Sequence, residues 1–265
     1  MNTSNHGTAL ITGASSGIGA LYADRLARQG YDLILVARTA SKLDPLARRL
    51  ADKTGRSIAT IAADLTNPED SERVESILRS DPSIRILINN AGIGSTAALL
   101  DSDPAAMDHM IALNVTAPMR MARAAAVNFA ARGAGTIVNI ASIVAVAPEL
   151  LNGVYGGTKA FVLAFSQSLR HELAAKGVRV QVVLPGATAT NFWDIAGTPV
   201  EHLPQRLVMD AEAMVDAALS GLAQGEFVTI PSLPDIADWN AFDAARLALG
   251  PNLSRARPAT RYARA

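Results

Sequence analysis

The chain has 265 residues, a formal net charge of zero and no cysteine. Its length suits one α/β domain with a sizeable hydrophobic core. The balanced charge excludes general attraction to nucleic acid or an anionic membrane, and the lack of cysteine excludes disulfides, iron–sulfur clusters and thiol nucleophiles. We therefore expect a single domain over residues 1–265 that acts on a small molecule.

Neither the N-terminus nor the apolar stretches predict export or membrane insertion. The first residues are few and polar, unlike a secretory signal. The longest apolar stretch, residues 137–151, is interrupted by Asn139, Ser142 and Glu149 and falls short of a membrane span. The sequence predicts a cytoplasmic protein with no membrane or nucleic-acid partner.

Short β-branched or leucine-rich runs alternate with longer helical patterns along the chain. The predicted strands cover residues 9–11, 32–36, 57–62, 84–88, 135–140, 178–184 and 227–230. Helices are predicted between them, and Asn67-Pro68 and Asp103-Pro104 each place a capping side chain before a proline suited to a first helical turn. This βαβ alternation predicts parallel strands joined by right-handed crossovers, with helices on both faces of the sheet.

A glycine-rich turn follows the first predicted strand and precedes a helical pattern, in the run Thr12-Gly13-Ala14-Ser15-Ser16-Gly17-Ile18-Gly19. Glycines let the main chain approach a pyrophosphate, and the helix N-terminus offers unpaired N–H groups. The spacing G-x-x-x-G-x-G differs from the commoner dinucleotide spacing G-x-G-x-x-G. The alternative is that these glycines only make a tight strand-to-helix turn.

Tyr155 and Lys159 are four residues apart, and Ser142 precedes the tyrosine by thirteen residues. On a helix, residues i and i+4 lie on the same face. An ammonium about 4 Å from the phenol, at an effective dielectric near 20, favours the phenolate by roughly 4 kcal/mol, which would bring the tyrosine pKa toward neutrality before desolvation opposes the shift. The pair predicts proton transfer to or from an oxygen, although this spacing alone also arises by chance.

These motifs, together with Asn89-Asn90-Ala91-Gly92 and Pro185-Gly186, make residues 8–190 resemble the short-chain dehydrogenase/reductase family. The resemblance implies a Rossmann-type α/β fold, with a doubly wound parallel sheet of about seven strands, and NAD(P) as the cofactor. It also implies a catalytic tetrad of Asn114, Ser142, Tyr155 and Lys159. Many members have serine and alanine where this chain has Gly156-Gly157, and close packing against the cofactor or a neighbouring helix would each explain the glycines.

The resemblance gives each member of the tetrad a role. Tyr155 is the general acid in carbonyl reduction and the general base in alcohol oxidation, while Ser142 hydrogen-bonds the substrate oxygen. Lys159 lowers the tyrosine pKa and binds the nicotinamide ribose, and Asn114 holds a water beside Lys159. For Asn114 the alternative is a buried amide that only bends its helix.

The end of the second predicted strand distinguishes NADP from NAD. An acid at this position would bond the ribose hydroxyls of NAD and repel a 2′-phosphate. This chain has Ala37 followed by Arg38, and a guanidinium can hold a phosphate through paired charge-assisted hydrogen bonds. We predict NADP(H) in preference to NAD(H); the alternative is that Arg38 is an ordinary surface residue at a helix start.

Further cofactor contacts are implied by the resemblance. Asp64 matches the position that contacts adenine; alternatively, Asp64 is only a turn residue before a helix. Asn90 matches a backbone contact near the adenine ribose. Thr188 and Thr190 match contacts to the nicotinamide carboxamide. The predicted cofactor-binding residues are Gly13, Ser15, Ser16, Gly17, Ile18, Gly19, Arg38, Asp64, Leu65, Asn90, Tyr155, Lys159, Pro185, Gly186, Thr188 and Thr190.

The segment 191–209 follows the Pro-Gly turn and, in the family, closes over the substrate. Phe192 and Trp193 at its start predict an apolar pocket shared with Val144, Leu150 and Leu151, or alternatively Trp193 packs only as core. No charged residue stands out as a clamp for a carboxylate or phosphate. The predicted substrate is a largely apolar ketone, aldehyde or secondary alcohol.

Two other classes of function are alternatives to an oxidoreductase: a noncatalytic NADP-binding regulatory protein, and an epimerase or dehydratase of the extended relatives. The joint presence of Ser142, Tyr155 and Lys159 argues against the first class. The glycine spacing and the lack of a larger C-terminal substrate region argue against the second. The four histidines have no metal-ligand spacing, so the sequence predicts no metal site.

Two features bear on assembly. The alanine-rich helical segments 103–131 and 154–176 predict packing between subunits, as in the dimers and tetramers of the family, so a homodimer or homotetramer is expected. The C-terminal residues 250–265 form a basic tail that we expect to be solvated rather than a binding element. Its arginines are Arg255, Arg257, Arg261 and Arg264.

Overall fold

The computed structural model describes residues 6–262. Its strands are β1 (Thr8–Thr12), β2 (Asp32–Ala37), β3 (Ile58–Ala62), β4 (Ile84–Asn89), β5 (Gly135–Ile140), β6 (Val178–Val183) and β7 (Val228–Thr229). Within the described residues they form one seven-stranded sheet in the order β3-β2-β1-β4-β5-β6-β7, and every neighbouring pair is parallel. The predicted doubly wound, Rossmann-type α/β fold is confirmed.

The strands are connected by helices that cover both faces of the sheet. The helices are α1 (Gly17–Arg28), α2 (Ala40–Thr54), α3 (Pro68–Ser80), α4 (Pro104–Ile111), α5 (Ala117–Arg132), α6 (Gly153–Leu173), α7 (Phe192–Ala196), α8 (Ala211–Gln224) and α9 (Ile236–Ala248). Because side chains alternate along a strand, Ile11 of β1 packs in a core with α1, α2 and α8, whereas Leu10 packs in a second core with α3, α5 and α6.

The long helix predicted over residues 103–131 is interrupted. A π-helical turn, Ala112–Thr116, separates α4 from α5 and contains Asn114. Such turns insert an extra residue into a helix and are frequent at functional sites. The predicted caps are confirmed, because the Asn67 and Asp103 side chains accept backbone N–H groups from the first turns of α3 and α4.

The sheet topology places the predicted motifs at the carboxyl ends of the strands. β1 and β4 are neighbours in the sheet, and the crossovers from them lead to opposite faces, which creates a crevice at their carboxyl ends. The glycine turn follows β1, Asn90 follows β4, and Ser142 follows β5. Residues far apart in the sequence therefore meet at this crevice.

The chain has two compact units, of which the first ends at Pro231 and the second begins at Ser232. A single domain over residues 1–265 stays a prediction. In the second unit, Trp239 of α9 is buried, whereas Phe242 is half exposed. Among the residues described, no helix is long and apolar enough to cross a membrane.

The basic tail lies in the second unit. Arg255, Arg257 and Arg261 are exposed, as expected for a solvated segment. Arg264 lies outside the described residues.

Candidate active site

A cavity of about 510 Å³ occupies the crevice at the carboxyl ends of the strands. The glycine turn, the residues after β4, β5 and β6, the start of α6 and the segment 191–209 all line it. The predicted site residues on its wall are Gly13, Ser16, Gly17, Ile18, Asn90, Ser142, Tyr155, Lys159, Pro185, Gly186, Thr188 and Thr190. The predicted site residues outside this lining are Ser15, Gly19, Arg38, Asp64, Leu65 and Asn114.

The glycine turn is held in place by the residues after β4. Asn90 Nδ2 donates to the carbonyl oxygens of Thr12, at 3.0 Å, and Gly13, at 3.1 Å. Gly13 and Gly17 have φ values of +65° and +54°, which other residues rarely adopt. A Cβ at Gly19 would overlap the Gly13 carbonyl oxygen. The glycines therefore do make a tight turn, and the same turn forms a wall of the cavity.

The Asn90 side chain supports the turn, and the predicted backbone contact of Asn90 near the adenine ribose stays a prediction. Thr12 completes this support, as its Oγ1 accepts the backbone N–H groups of Asn90, at 3.0 Å, and Ala91, at 3.1 Å. Thr12 is not among the site residues predicted from the sequence. Its place directly before Gly13 in the motif was the available signal.

The N-terminus of α1 is open for an anion. Among the described residues, the N-cap Ser16 of α1 makes no side-chain capping hydrogen bond, and neither does the N-cap Thr39 of α2. The N-cap side chains that do accept first-turn N–H groups of other helices are Asn67, Asp103, Asn152, Asp210 and Asp235. Among the described helices, α1, α2, α5 and α7 lack such a cap. Of these, α1 and α2 begin beside the predicted dinucleotide site, where phosphate oxygens could accept the N–H groups.

Arg38 and Asp64 follow the ends of β2 and β3, which are neighbouring strands paired up to Ala37 and Ala62. Arg38 is exposed at the start of α2. Burial alone would raise the pKa of Asp64, but hydrogen bonds from Thr66, at 2.7 and 2.9 Å, and the positive charge of Arg38 outweigh it and lower that pKa. Asp64 is thus a turn residue and also a neighbour of Arg38. The Leu65 side chain is buried in the core, so only its backbone can face a ligand.

Tyr155 and Lys159 lie one turn apart on α6, as their spacing predicts. Asn152 caps the helix by accepting the N–H groups of Val154 and Tyr155, at 2.9 and 3.2 Å. Lys159 Nζ lies 5.7 Å from the centre of the Tyr155 ring and donates to the carbonyl oxygen of Ile140 at 3.0 Å. Both side chains are buried and both line the cavity.

Burial controls the protonation of this pair. It raises the pKa of Tyr155 above its ordinary value, and the hydrogen bond with the Ser142 hydroxyl opposes that shift without reversing it. Burial also lowers the pKa of Lys159 to about 8. The prediction that Lys159 lowers the Tyr155 pKa is therefore wrong for the protein without a ligand, because desolvation of the phenolate outweighs its attraction to the ammonium. Tyr155 holds its proton at neutral pH.

Ser142 follows β5 with its hydroxyl at the cavity. Its Oγ donates to the carbonyl oxygen of Pro185 at 3.4 Å and accepts the N–H of Val144 at 3.4 Å. These are long hydrogen bonds. The hydroxyl is therefore weakly held by the backbone and lies within reach of the Tyr155 phenol.

Asn114 lies behind the cavity in the π-helical turn. Its Oδ1 accepts the N–H of Ile93 at 3.0 Å, while its Nδ2 donates to the Ile93 carbonyl oxygen at 2.7 Å and to Thr158 Oγ1 at 3.2 Å. A Cβ at Gly92 would lie 3.0 Å from Oδ1 and 3.6 Å from Lys159 Nζ. Asn114 is thus a buried amide in a distorted helix, as in the alternative stated above, and its amide and the Lys159 ammonium both lie beside Gly92.

Gly156 and Gly157 are not among the described residues that line the cavity. A Cβ at Gly156 would lie 3.1 Å from Pro148 Cβ, so this glycine allows α6 to approach the turn at Pro148–Leu150. At Gly157, no described atom lies within 4 Å of where a Cβ would be. The departure from the family pattern is explained at the first glycine, and nothing in the structure explains the second.

Aromatic and aliphatic side chains form the other part of the cavity. Trp193 is 7% exposed and donates its indole N–H to the Thr188 carbonyl oxygen at 3.0 Å, so it is both core and cavity wall. Leu150, Ile195 and Leu207 also line the cavity, yet they are 57%, 70% and 62% exposed. The cavity therefore opens to solvent through an apolar mouth.

No metal centre competes with this site within residues 6–262, where no group of three or more His, Asp or Glu side chains could hold a metal ion. A parallel doubly wound sheet, an uncapped helix at its glycine turn, and serine, tyrosine and lysine in the adjoining cavity define a class: dinucleotide-dependent oxidoreductases of carbonyl and alcohol groups.

The comparison with known proteins identifies the family. The model of the short chain dehydrogenase family matches residues 7–198. The chain therefore belongs to the short-chain dehydrogenases and is an oxidoreductase.

Two solved structures resemble the chain over nearly its whole length. A short-chain dehydrogenase from Sphingobium yanoikuyae, in complex with NADPH, is 49% identical with a TM-score of 0.94, over 97% of this chain and 100% of that one. A bulky-bulky ketone specific alcohol dehydrogenase from Comamonas testosteroni is 49% identical with a TM-score of 0.90, over 98% of this chain and 99% of that one.

A curated human relative is longer than this chain. Human 17-beta-hydroxysteroid dehydrogenase type 3 is 37% identical over 196 residues, which are 72% of this chain and 62% of the relative. The chain thus spans less than two thirds of that relative's length.

Proposed function

We propose that this protein reduces bulky, largely apolar ketones to secondary alcohols with NADPH, and catalyses the reverse oxidation at higher pH. The observation that carries the proposal is that Tyr155, Ser142 and Lys159 meet on the wall of one apolar cavity, which the glycine turn also lines. This arrangement supports proton transfer and dinucleotide binding in one space.

The residues at the crevice fit NADPH. The open N–H groups of α1 suit the pyrophosphate, and the exposed Arg38 beside the uncapped start of α2 suits a 2′-phosphate. Asp64 would accept from the adenine amine. Thr190 lies close to the glycine turn, since a Cβ built at Gly17 would be 3.5 Å from the Thr190 side chain. Thr190 and Thr188 together would hold the carboxamide. The NADPH complex of the Sphingobium relative supports this assignment.

Bound NADPH would supply the hydride, and the chain would supply the proton. Tyr155, which burial keeps protonated, would donate its phenol proton to the carbonyl oxygen as negative charge develops there. Ser142 would hold that oxygen with its weakly engaged hydroxyl. Lys159 would bind the nicotinamide ribose and, when charged, stabilise the phenolate that remains, while Asn114 would hold a water beside it.

The lining of the cavity supports an apolar substrate. Lys159 is the one charged side chain among the described residues that line it, so the wall has no second charge to bind a carboxylate or phosphate of a substrate. The apolar mouth formed by Leu150, Ile195 and Leu207 leaves room for groups on both sides of a carbonyl. The Comamonas relative, named for bulky-bulky ketones, supports this substrate class.

A homodimer or homotetramer is part of the proposal. Met119 and Val127 are exposed on α5, which gives the predicted subunit contact an apolar surface. The cytoplasmic location stays a prediction of the sequence.

A panel of ketones, aldehydes and alcohols tests the proposal, with NADPH and NADH oxidation followed by absorbance. We expect the largest kcat/KM for aryl alkyl ketones with NADPH. Turnover of none of the ketones with either cofactor, in protein shown to be folded, would refute the proposed function.

Arg38 provides the test of cofactor choice. The Arg38→Asp substitution places a carboxylate where the 2′-phosphate is proposed to lie, so we expect the NADPH-to-NADH ratio of kcat/KM to fall at least about 10-fold. Arg49→Asp, on an exposed position of α2, is the matched control and should leave the ratio unchanged. An unchanged ratio in Arg38→Asp would contradict the assignment.

A further inference from the structure

The side chain that packs beside Tyr155 in the apolar part of the cavity is Phe192. It is the first residue of α7, and its ring centre lies 5.7 Å from that of Tyr155 and 5.5 Å from that of Trp193. Phe192 lines the cavity and packs against the buried cluster of Met110, Val144 and Tyr155. Any ketone whose oxygen reaches Tyr155 would lie against this ring.

The position of the ring depends on a glycine in another part of the chain. A Cβ at Gly94 would overlap Cζ of Phe192 and lie 2.9 and 3.2 Å from its two Cε atoms. Gly94 is outside the set of glycines with positive φ, so its backbone conformation is open to alanine. Glycine is therefore needed at residue 94 because the Phe192 ring occupies the space that a side chain would fill.

The helix that carries Phe192 cannot easily move away from Gly94. The N–H and hydroxyl of Thr96 both donate to the Ala196 carbonyl oxygen at the end of α7, at 2.9 and 3.0 Å, and the Thr198 hydroxyl bonds that of Thr96 at 2.9 Å. This clasp joins the segment after β4 to the segment after α7. A methyl group added at residue 94 would therefore displace the ring toward the cavity rather than the helix toward solvent.

We propose that Phe192, held in place by the space at Gly94 and by the Thr96–Thr198 clasp, determines how large a group the cavity accepts beside Tyr155. The proposal rests on the proposed ketone reduction and adds to it the residue that sets substrate size. A larger residue at 94 would narrow the cavity through Phe192, a smaller side chain at 192 would widen it, and the two changes together would compensate.

The experiment compares acetophenone with valerophenone, which differ only in the length of the alkyl side. The readout is the valerophenone-to-acetophenone ratio of kcat/KM with NADPH in wild type, Gly94→Ala, Phe192→Leu and the double variant. We expect Gly94→Ala to lower the ratio at least about 10-fold and Phe192→Leu to raise it at least about 3-fold, since a methylene in an apolar pocket changes discrimination by about 10-fold or more. The double variant should return to within about 3-fold of wild type.

Gly153→Ala is the matched control, because Gly153 has no described atom within 4 Å of where a Cβ would be, and its φ is not positive. It should leave the ratio unchanged. NADPH affinity, measured by fluorescence titration, shows whether each variant is folded; if Gly94→Ala does not bind NADPH, Phe192→Leu alone decides the question.

The outcomes separate the two claims. If wild type reduces both ketones and the ratio stays within about 2-fold of wild type in NADPH-binding Gly94→Ala and Phe192→Leu, the role of Phe192 is wrong and the proposed function stands. If wild type reduces neither ketone, the proposed function fails, and the inference fails with it.

Discussion

The glycine turn and the segment 191–209 line the same cavity but are built in different ways. The turn is fixed by hydrogen bonds to the backbone. Asn90 Nδ2 donates to the Thr12 and Gly13 carbonyl oxygens, and Thr12 Oγ1 accepts the Asn90 N–H. Gly19 packs directly against the Gly13 carbonyl. The segment 191–209 is instead a series of short helices, and apolar side chains such as Ile195 and Leu207 line the mouth of the cavity while largely exposed.

The difference follows from what each region has to bind. A pyrophosphate and its ribose are the same in every catalytic cycle, and backbone N–H groups at a helix N-terminus bind them regardless of side chain. A substrate of varying shape is bound by the shape of an apolar surface, which side chains provide. The glycine turn should therefore respond to changes in backbone space, and the segment 191–209 to changes in side-chain volume.

The largest effect is expected at Tyr155, which lines the same cavity as both regions. Tyr155→Phe removes the proton donor and leaves the glycine turn intact, so kcat should fall at least about 100-fold while NADPH affinity stays within about 3-fold. Steady-state kinetics and fluorescence titration measure the two quantities. Tyr262→Phe, at an exposed tyrosine, serves as control. A Tyr155→Phe enzyme with most of its turnover would exclude this mechanism.

The next largest effect tests the glycine turn. In Gly19→Ala the new Cβ would overlap the Gly13 carbonyl and lie 2.5 Å from Asn90 Nδ2, so the turn must shift. We expect the NADPH Kd to rise at least about 10-fold, with a smaller change in kcat at saturating NADPH. Gly153→Ala is again the control. An unchanged Kd would mean that the turn tolerates more space than the contacts indicate.

Lys159 gives a prediction about stability. Burial lowers its pKa to about 8, below the unfolded value near 10.4, so between these pH values the unfolded chain binds a proton that the folded protein does not. Stability contributed through this group therefore rises with pH across that window. Relative to Lys159→Met, wild type should gain roughly 2–3 kcal/mol in the free energy of unfolding between pH 7 and pH 10.5.

Urea unfolding of both proteins at several pH values measures this difference. Lys176→Met, at an exposed lysine, should show no such pH dependence relative to wild type. A constant difference between wild type and Lys159→Met across the window would show that the Lys159 pKa is not lowered.

The smallest effect is expected at the mouth of the cavity. Ile195→Ala removes a largely exposed apolar side chain from the mouth, so kcat/KM for valerophenone should fall about 3-fold while the NADPH Kd stays within about 2-fold. Leu253→Ala, at an exposed leucine that is not among the described lining residues, is the control. A change in NADPH Kd as large as the change in kcat/KM would erase the distinction between the two regions.

Much of the fold and of the cofactor region can be predicted from the sequence, because both depend on local spacing. The alternation of strands and helices fixes a parallel sheet, the glycine spacing after β1 fixes a turn, and the four-residue interval places Tyr155 and Lys159 on one face of α6. Each of these signals lies within a few residues along the chain, where steric and hydrogen-bonding rules act directly.

Only the tertiary structure decided the features that depend on burial and on contacts between distant segments. The space at Gly94 has meaning because the Phe192 ring fills it, and Asn114 lies in a π-helical turn whose amide is held by Ile93 and Thr158. The direction of the Tyr155 pKa shift was likewise beyond the sequence. Spacing brings a phenol and an ammonium together. The exclusion of water by the folded chain then disfavours the charged form of each group, and this determines the direction of its pKa shift.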